Sequence, residues 1–299
     1  YNFAESIGKK DVKLLGLGGA GSISGNVAGT LSEPELVARV DASQTIYSEV
    51  PLGSSIIDLT YSGKRSLLTF RNAEFHKDGA DLFLQGTLGF PTTGASPVFD
   101  LSVRANGWPV QSALKVVSLD LSVPGTANGS MTVKGTPDRG TVDFQNTVIH
   151  RAENQQARLN GTVSWLPGKG NIAFDLDVGT QSFPVQDLMA FLDLKGVPAT
   201  GNLTGTVHLE GPKNALEGAG SIVIRGGALY CEPIDIASAD ILFTQGNVQA
   251  KNVTITAPAG TITGEAEYNF ERETFSYMIA APDLDLSKFK LLEGLSSLI

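Results

Sequence analysis

Over most of its length the chain alternates apolar and polar residues with a period of two, as β-strands with one face in water do. Phe99, Leu101, Val103 and Ala105 take one side of such a run, with Asp100, Ser102 and Arg104 on the other. Ile172, Phe174, Leu176 and Val178 repeat it against Asp175 and Asp177. Similar runs occur at Leu203-Gly205-Val207-Leu209, Ile222-Ile224, Ile241-Phe243, Val253-Ile255 and Phe275-Tyr277-Ile279. Strands of this kind predict a sheet with one apolar and one polar face. Pro109 to Val117 and Pro184 to Leu194 break the period and predict short helices. Pro suits a first helical position, and Leu188, Phe191 and Leu192 fall on one side of about two turns. Ser287 to Leu292, after Pro282-Asp283-Leu284, is the corresponding stretch near the end.

The pattern also repeats at long range. Residues 86–111 recur at 161–186 without a gap, with nine identities in 26 positions: Gly86, Thr87, Phe99, Asp100, Leu101, Val103, Pro109, Val110 and Gln111 reappear 75 residues on. Phe90 and Trp108 return exchanged, as Trp165 and Phe183. Gly125, Gly129 and Gly135 answer Gly201, Gly205 and Gly211 at an offset of 76. Gly25 to Gly129 is 104 residues and Gly161 to Gly264 is 103, so long and short units alternate, the extra 25 or so residues falling at 44–70 and 221–260. The prediction is one elongated repeat array over 1–299, with approximate units 1–85, 86–160, 161–263 and 264–299, extending a surface rather than enclosing a pocket.

Composition agrees with an all-β chain: 34 Gly, 14 Pro and many Thr, Val and Ile among 299 residues. A net charge of −9 with no long basic run argues against a nucleic-acid partner and against electrostatic docking on anionic lipid. Cys231 is alone, so no internal disulfide exists, and it reads as a buried thiol without zinc or redox pattern. No apolar run reaches the 18 or more residues of a membrane span, and no signal peptide is visible. A chain that starts at Tyr1 without Met and stops in mid-pattern at Ile299 predicts a segment of a longer protein.

Candidate chemistry is sparse. Gly16-Leu17-Gly18-Gly19-Ala20-Gly21 has dinucleotide-site spacing, but Gly25, Gly29 and Pro34 exclude the helix a phosphate needs, so a turn or linker is expected. Asp175 with Asp177 and Asp283 with Asp285 read as solvated carboxylates, since the first repeat has Asp100 and Ser102 at the matching places. His76, His150 and His208 lack ligand spacing and read as surface residues. No nucleophile elbow or phosphate loop occurs, and no metal or cofactor is expected. The sequons at Asn128, Asn160, Asn202 and Asn252 follow from turn composition. The apolar stripe itself suits either a closed β-sandwich core or an open apolar trough, and the repeat favours the trough.

Three segments carry a resemblance: Gly201-Asn-Leu-Thr-Gly205-Thr-Val-His-Leu-Glu-Gly211, then Gly220 to Tyr230, then Gly260-Thr-Ile-Thr-Gly264-Glu-Ala-Glu-Tyr. With Asp187 to Leu192 and Pro282-Asp-Leu-Asp-Leu286, they resemble the AsmA/TamB-like proteins of Gram-negative envelopes over residues 80–290. The resemblance implies an elongated, curved antiparallel sheet forming an open apolar groove, with short helices at unit junctions. It implies a periplasmic location with an inner-membrane anchor outside this segment, and a role in moving phospholipid to the outer membrane or in assembling outer-membrane proteins with a barrel partner. Phospholipid or another acyl-chain lipid is then the expected ligand. The expected lining is Phe99, Leu101, Val103, Phe174, Leu176, Val178, Leu203, Val207, Leu209, Ile222 and Ile224. Passive conduction without catalysis is the leading expectation. A structural or adhesive β-repeat binding protein partners is the alternative, and a β-solenoid enzyme would need a carboxylate cluster that the acids do not supply.

Overall fold

Every second side chain of an extended backbone points the same way, so alternation becomes a one-sided sheet once neighbouring strands pair. The computed structural model describes residues 17–47, 49–91, 96–116, 124–168, 171–191, 198–269, 272 and 274–288. The strands of the first half are β1 (Leu17–Gly29), β2 (Pro34–Tyr47), β3 (Val50–Ser62), β4 (Leu67–Lys77), β5 (Ala80–Gly89), β6 (Val98–Pro109), β7 (Thr126–Thr136) and β8 (Arg139–Ala152). Those of the second are β9 (Gln155–Trp165), β10 (Ile172–Pro184), β11 (Ala199–Pro212), β12 (Glu217–Leu229), β13 (Glu232–Thr244), β14 (Asn247–Ala257), β15 (Gly260–Asn269) and β16 (Thr274–Ala280). The protein is all-β, and within each of its units the strands neighbour one another in sequence order without a crossover. Two helices of seven residues, α1 (Val110–Val116) and α2 (Val185–Phe191), follow β6 and β10.

The chain divides into two units, one of residues 1–121 and 132–137, the other of 122–131 and 138–299. The first holds β1–β6 and α1, and the second holds β8–β16 and α2, each as an open, curved antiparallel ladder. Two-residue hairpins use left-handed φ at both positions, as the right-handed strand twist requires: Asp78–Gly79 at 53° and 82°, Gln245–Gly246 at 45° and 83°. Tyr230–Cys231 does the same at 49° and 68°, and this position at a turn leaves Cys231 exposed rather than buried.

One device recurs along both ladders. Between Phe70 and Ala73, Phe144 and Thr147, Thr180 and Phe183, and Ala250 and Val253, a strand carries one residue more than its partner, a β-bulge. Opposite each bulge stands a glycine: Gly86, Gly161, Gly205 and Gly264. A Cβ on Gly86 would lie 2.1 Å from the Asp100 carbonyl oxygen, and one on Gly161 2.2 Å from that of Asp175. The two are copies in the repeat, and both hold φ in the left-handed half, at 135° and 119°. Bulge and glycine together bend the ladder, because the bulged strand kinks and the next strand moves into the space a side chain would fill. The N–H freed at the bulge finds a side chain, as where Ser182 donates to Thr204 Oγ1 at 3.1 Å.

The helices sit at equivalent places of the repeat. Pro109 and Pro184 end β6 and β10 rather than opening a helical turn, and the helix begins at the next residue. Trp108 and Val110 in one copy and Phe183 and Val185 in the other are buried. In the first unit α1 packs on β3 and β6 beside a cluster of Val50, Leu52, Ile57, Ala73, Phe75, Ala80, Ala105 and Trp108. Leu192 and the side chains of Leu188 and Phe191 lie outside the described residues, as does the helix expected beyond Lys288, where Leu286–Lys288 forms a 3-10 turn. Gly18 to Gly21, expected in a turn or linker, belong to β1, because a strand with no bulky side chains pairs readily when its partner β2 supplies them.

The crease glycines give a stability test. Gly86→Val and Gly161→Val should each lower unfolding free energy by about 2 kcal/mol or more in urea titrations. Gly89→Ala, whose Cβ would meet nothing closer than 3.7 Å, should change it little.

Candidate functional site

Directly opposed residues of an antiparallel ladder share a face, so the register shows what each face is made of. In the second unit one row of opposed residues begins at Phe144 and passes through Gly161, Leu176, Leu209 and Gly218. It continues through Phe243, Val248 and Tyr268 to Phe275, and no position on it is polar apart from the Tyr268 hydroxyl. A parallel row runs Thr147, Leu159, Val178, Val207, Gly220, Ile241, Ala250, Ala266, Tyr277. Nine strands about 4.8 Å apart give each row a contour of roughly 38 Å.

The first unit is built alike. Its rows include Val27, Leu36, Tyr61, Leu68, Leu88, Phe99, then Gly25, Ala38, Leu59, Phe70, Gly86, Leu101, then Ile23, Val40, Ile57, Ala73, Leu84, Val103. All eleven residues expected from the sequence to line a groove therefore fall on the apolar face of their unit. Phe99, Leu101 and Val103 do so in the first; Phe174, Leu176, Val178, Leu203, Val207, Leu209, Ile222 and Ile224 do so in the second. Leu176 and Leu203 are buried at 7% and 4% exposure, and the other nine are half-buried.

Among the described residues no second sheet lies over this face, since the substantial strand contacts all join ladder neighbours. The opposite face is polar and wet. Asp175, Asp177, His208 and Glu210 are exposed on it, with His208 Nδ1 2.9 Å from Asp177 Oδ1. A similar pair joins His76 Nδ1 to Asp81 Oδ1 at 2.7 Å in the first unit. These acidic partners lie on neighbouring strands, so sequence spacing alone did not reveal them. No group of three metal-ligating side chains occurs among the described residues, and no described helix is long and apolar enough to cross a membrane.

Several apolar-face residues lie where the sequence shows no clean period, among them Phe70 and Ala73 of β4 and Ala250 and Val253 of β14. The bulges explain this, because an extra residue shifts the alternation by one and breaks the count in mid-strand.

No protein-family model, curated protein or solved structure matches the chain. The case for function rests on the two faces themselves.

The polar face yields a pH prediction. The hydrogen bond from His76, helped by Asn106, holds the Asp81 carboxyl below its ordinary range. A carboxyl lowered on folding contributes stability above about pH 4, which is lost as the pH falls through the lowered value. Acid titration should show Asp81→Asn less stable than the parent chain at neutral pH and the difference closing toward pH 2 (roughly).

Proposed function

We propose that this chain is a non-catalytic conduit or carrier for the acyl chains of phospholipid or a related lipid. The observation that supports the reading is the run of apolar rows in each unit with no second layer over them among the described residues. Leaving an acyl chain in water costs about 0.8 kcal/mol per methylene, on the order of 20 kcal/mol for a two-chain lipid. An open apolar face removes much of that penalty. A contour of roughly 38 Å exceeds the depth of one bilayer leaflet, about half of a 30 Å hydrocarbon core, so a chain has room to move from strand to strand. Movement requires near-equal affinity at successive places, and a ladder of equivalent strands supplies it, whereas one deep cavity would hold the lipid fast.

The resemblance to AsmA/TamB-like proteins fits this reading, and with it we propose a periplasmic location between inner and outer membranes. Membrane contact would come through parts of the protein outside this segment, with an outer-membrane barrel as a candidate partner. One observation favours a protein-binding role as a second reading. Among the described residues β16 ends its ladder, with Thr274–Ala280 exposed throughout and one backbone edge unpaired, a template on which a strand of a partner can add.

Delipidated protein should take up a fluorescent fatty acid, and lipid should copurify with the untreated protein in mass spectrometry. Phe174→Asp and Val207→Asp should each weaken uptake about tenfold, because a carboxylate would then face the hydrocarbon. Thr206→Asp, on the polar face, should leave it unchanged. Lipid-free purified protein with no uptake would end the proposal in favour of the protein-binding role.

A further inference from the structure

The two long margins of each apolar face differ in construction and in how their cations are engaged. In the first unit one margin, at the Asp78–Gly79 end, is covered by α1 over Trp108, 2% exposed, and Val110, 7% exposed. In the second unit the corresponding margin is covered by α2 over Phe183 and Val185, and by the segment after β16, where Asp285 N–H donates to the Ala259 carbonyl at 2.7 Å. The opposite margin carries no α-helix among the described residues. It consists of turns such as Gly63–Ser66 and Lys213–Leu216.

The margins also differ in how far their cations are engaged. On the helix-bearing margin the cations are mostly engaged: Lys77 Nζ donates to the Pro51 carbonyl at 3.1 Å, Arg151 pairs with Asp187 at 2.6 Å, and Lys288 pairs with Asp285 at 3.4 Å. Lys115 on α1 is the exception, and Glu49, Asp78 and Glu153 add negative charge at that margin's turns. The turn margin carries exposed Glu33, Glu35, Asp138 and Glu217 as well, but its exposed Lys64, Arg65 and Lys213 make no side-chain hydrogen bond or ion pair among the described residues. Desolvated acyl chains and a solvated anion therefore have separate, adjacent places.

From this we infer that lipid loads from one side only. The anionic headgroup lies along the turn margin near Lys64 and Arg65 in the first unit and Lys213 in the second, and the acyl ends point toward the closed margin beneath α1 and α2. This rests on the conduit reading and adds a direction and a headgroup charge to it. Phosphatidylglycerol is the probe that carries both features. An overall acidic protein that still leaves cations unpaired along one edge of a greasy surface matches an anionic amphiphile better than a neutral one.

The two tryptophans of the chain report the two margins. Trp108 sits under α1, and Trp165 ends β9 at the turn margin, opposite Ile172. In delipidated full chain with Trp165→Phe, phosphatidylglycerol brominated near the methyl end should quench Trp108 more than lipid brominated near the carbonyl. With Trp108→Phe the order should reverse at Trp165. Lys64→Glu with Arg65→Glu, and separately Lys213→Glu, should weaken phosphatidylglycerol binding about fivefold per charge removed, and phosphatidylcholine binding much less. Equal effects on both lipids, no effect, or the opposite quenching order would overturn one-sided loading while leaving the conduit standing. Failure to bind either lipid would overturn both.

Discussion

A single sheet layer has no opposing layer to bury against, so its apolar side chains must shelter one another. That constraint governs the molecule. In a flat sheet the side chains of one face stand roughly parallel, each covered only by its ladder neighbours, whereas curvature brings rows together and removes more surface from water. The half-buried state of Phe174, Val178, Val207 and Ile222 reflects this arrangement. These side chains are covered by neighbours on the same face and remain reachable from above.

Curvature in turn depends on a paired device, an extra residue in one strand and a missing side chain in the next. Gly86 faces the bulge after Phe70, and Gly161 faces the one after Phe144. The repeat preserves this pairing because the offset of 75 carries β5 to β9, four strands on, and the offset of 103 carries β9 to β15, six strands on. An even number of strands restores strand direction, so each copied glycine again meets a bulge on the strand before it.

The helices close what the sheet cannot. Pro109 and Pro184 supply no N–H to extend the ladder at the ends of β6 and β10, and the chain turns there into one short helix at the end of the apolar face. Trp108 and Phe183, exchanged for one another in the two copies, fill the same position under it. Each helix thereby covers part of one margin, over β3 and β6 in the first unit and β10 and β11 in the second, and the other margin carries no α-helix among the described residues.

The sequence by itself determined the local pattern. Alternation at Phe99–Ala105 and Ile172–Val178 placed strands and sorted their side chains, because the period of two is a property of extended backbone and needs no partner. The broken period after Pro109 and Pro184 located the start of both helices to within a residue, and the alternation located the residues of the apolar face. Only the tertiary structure decided which strands are neighbours, how bulges restore a period that looks broken at Phe70–Ala73, and that His76 meets Asp81 and His208 meets Asp177. It also decided that Gly18–Gly21 pair as a strand and that Cys231 is exposed. Each of these depends on cross-strand register, which joins residues through space and leaves no fixed spacing along the chain.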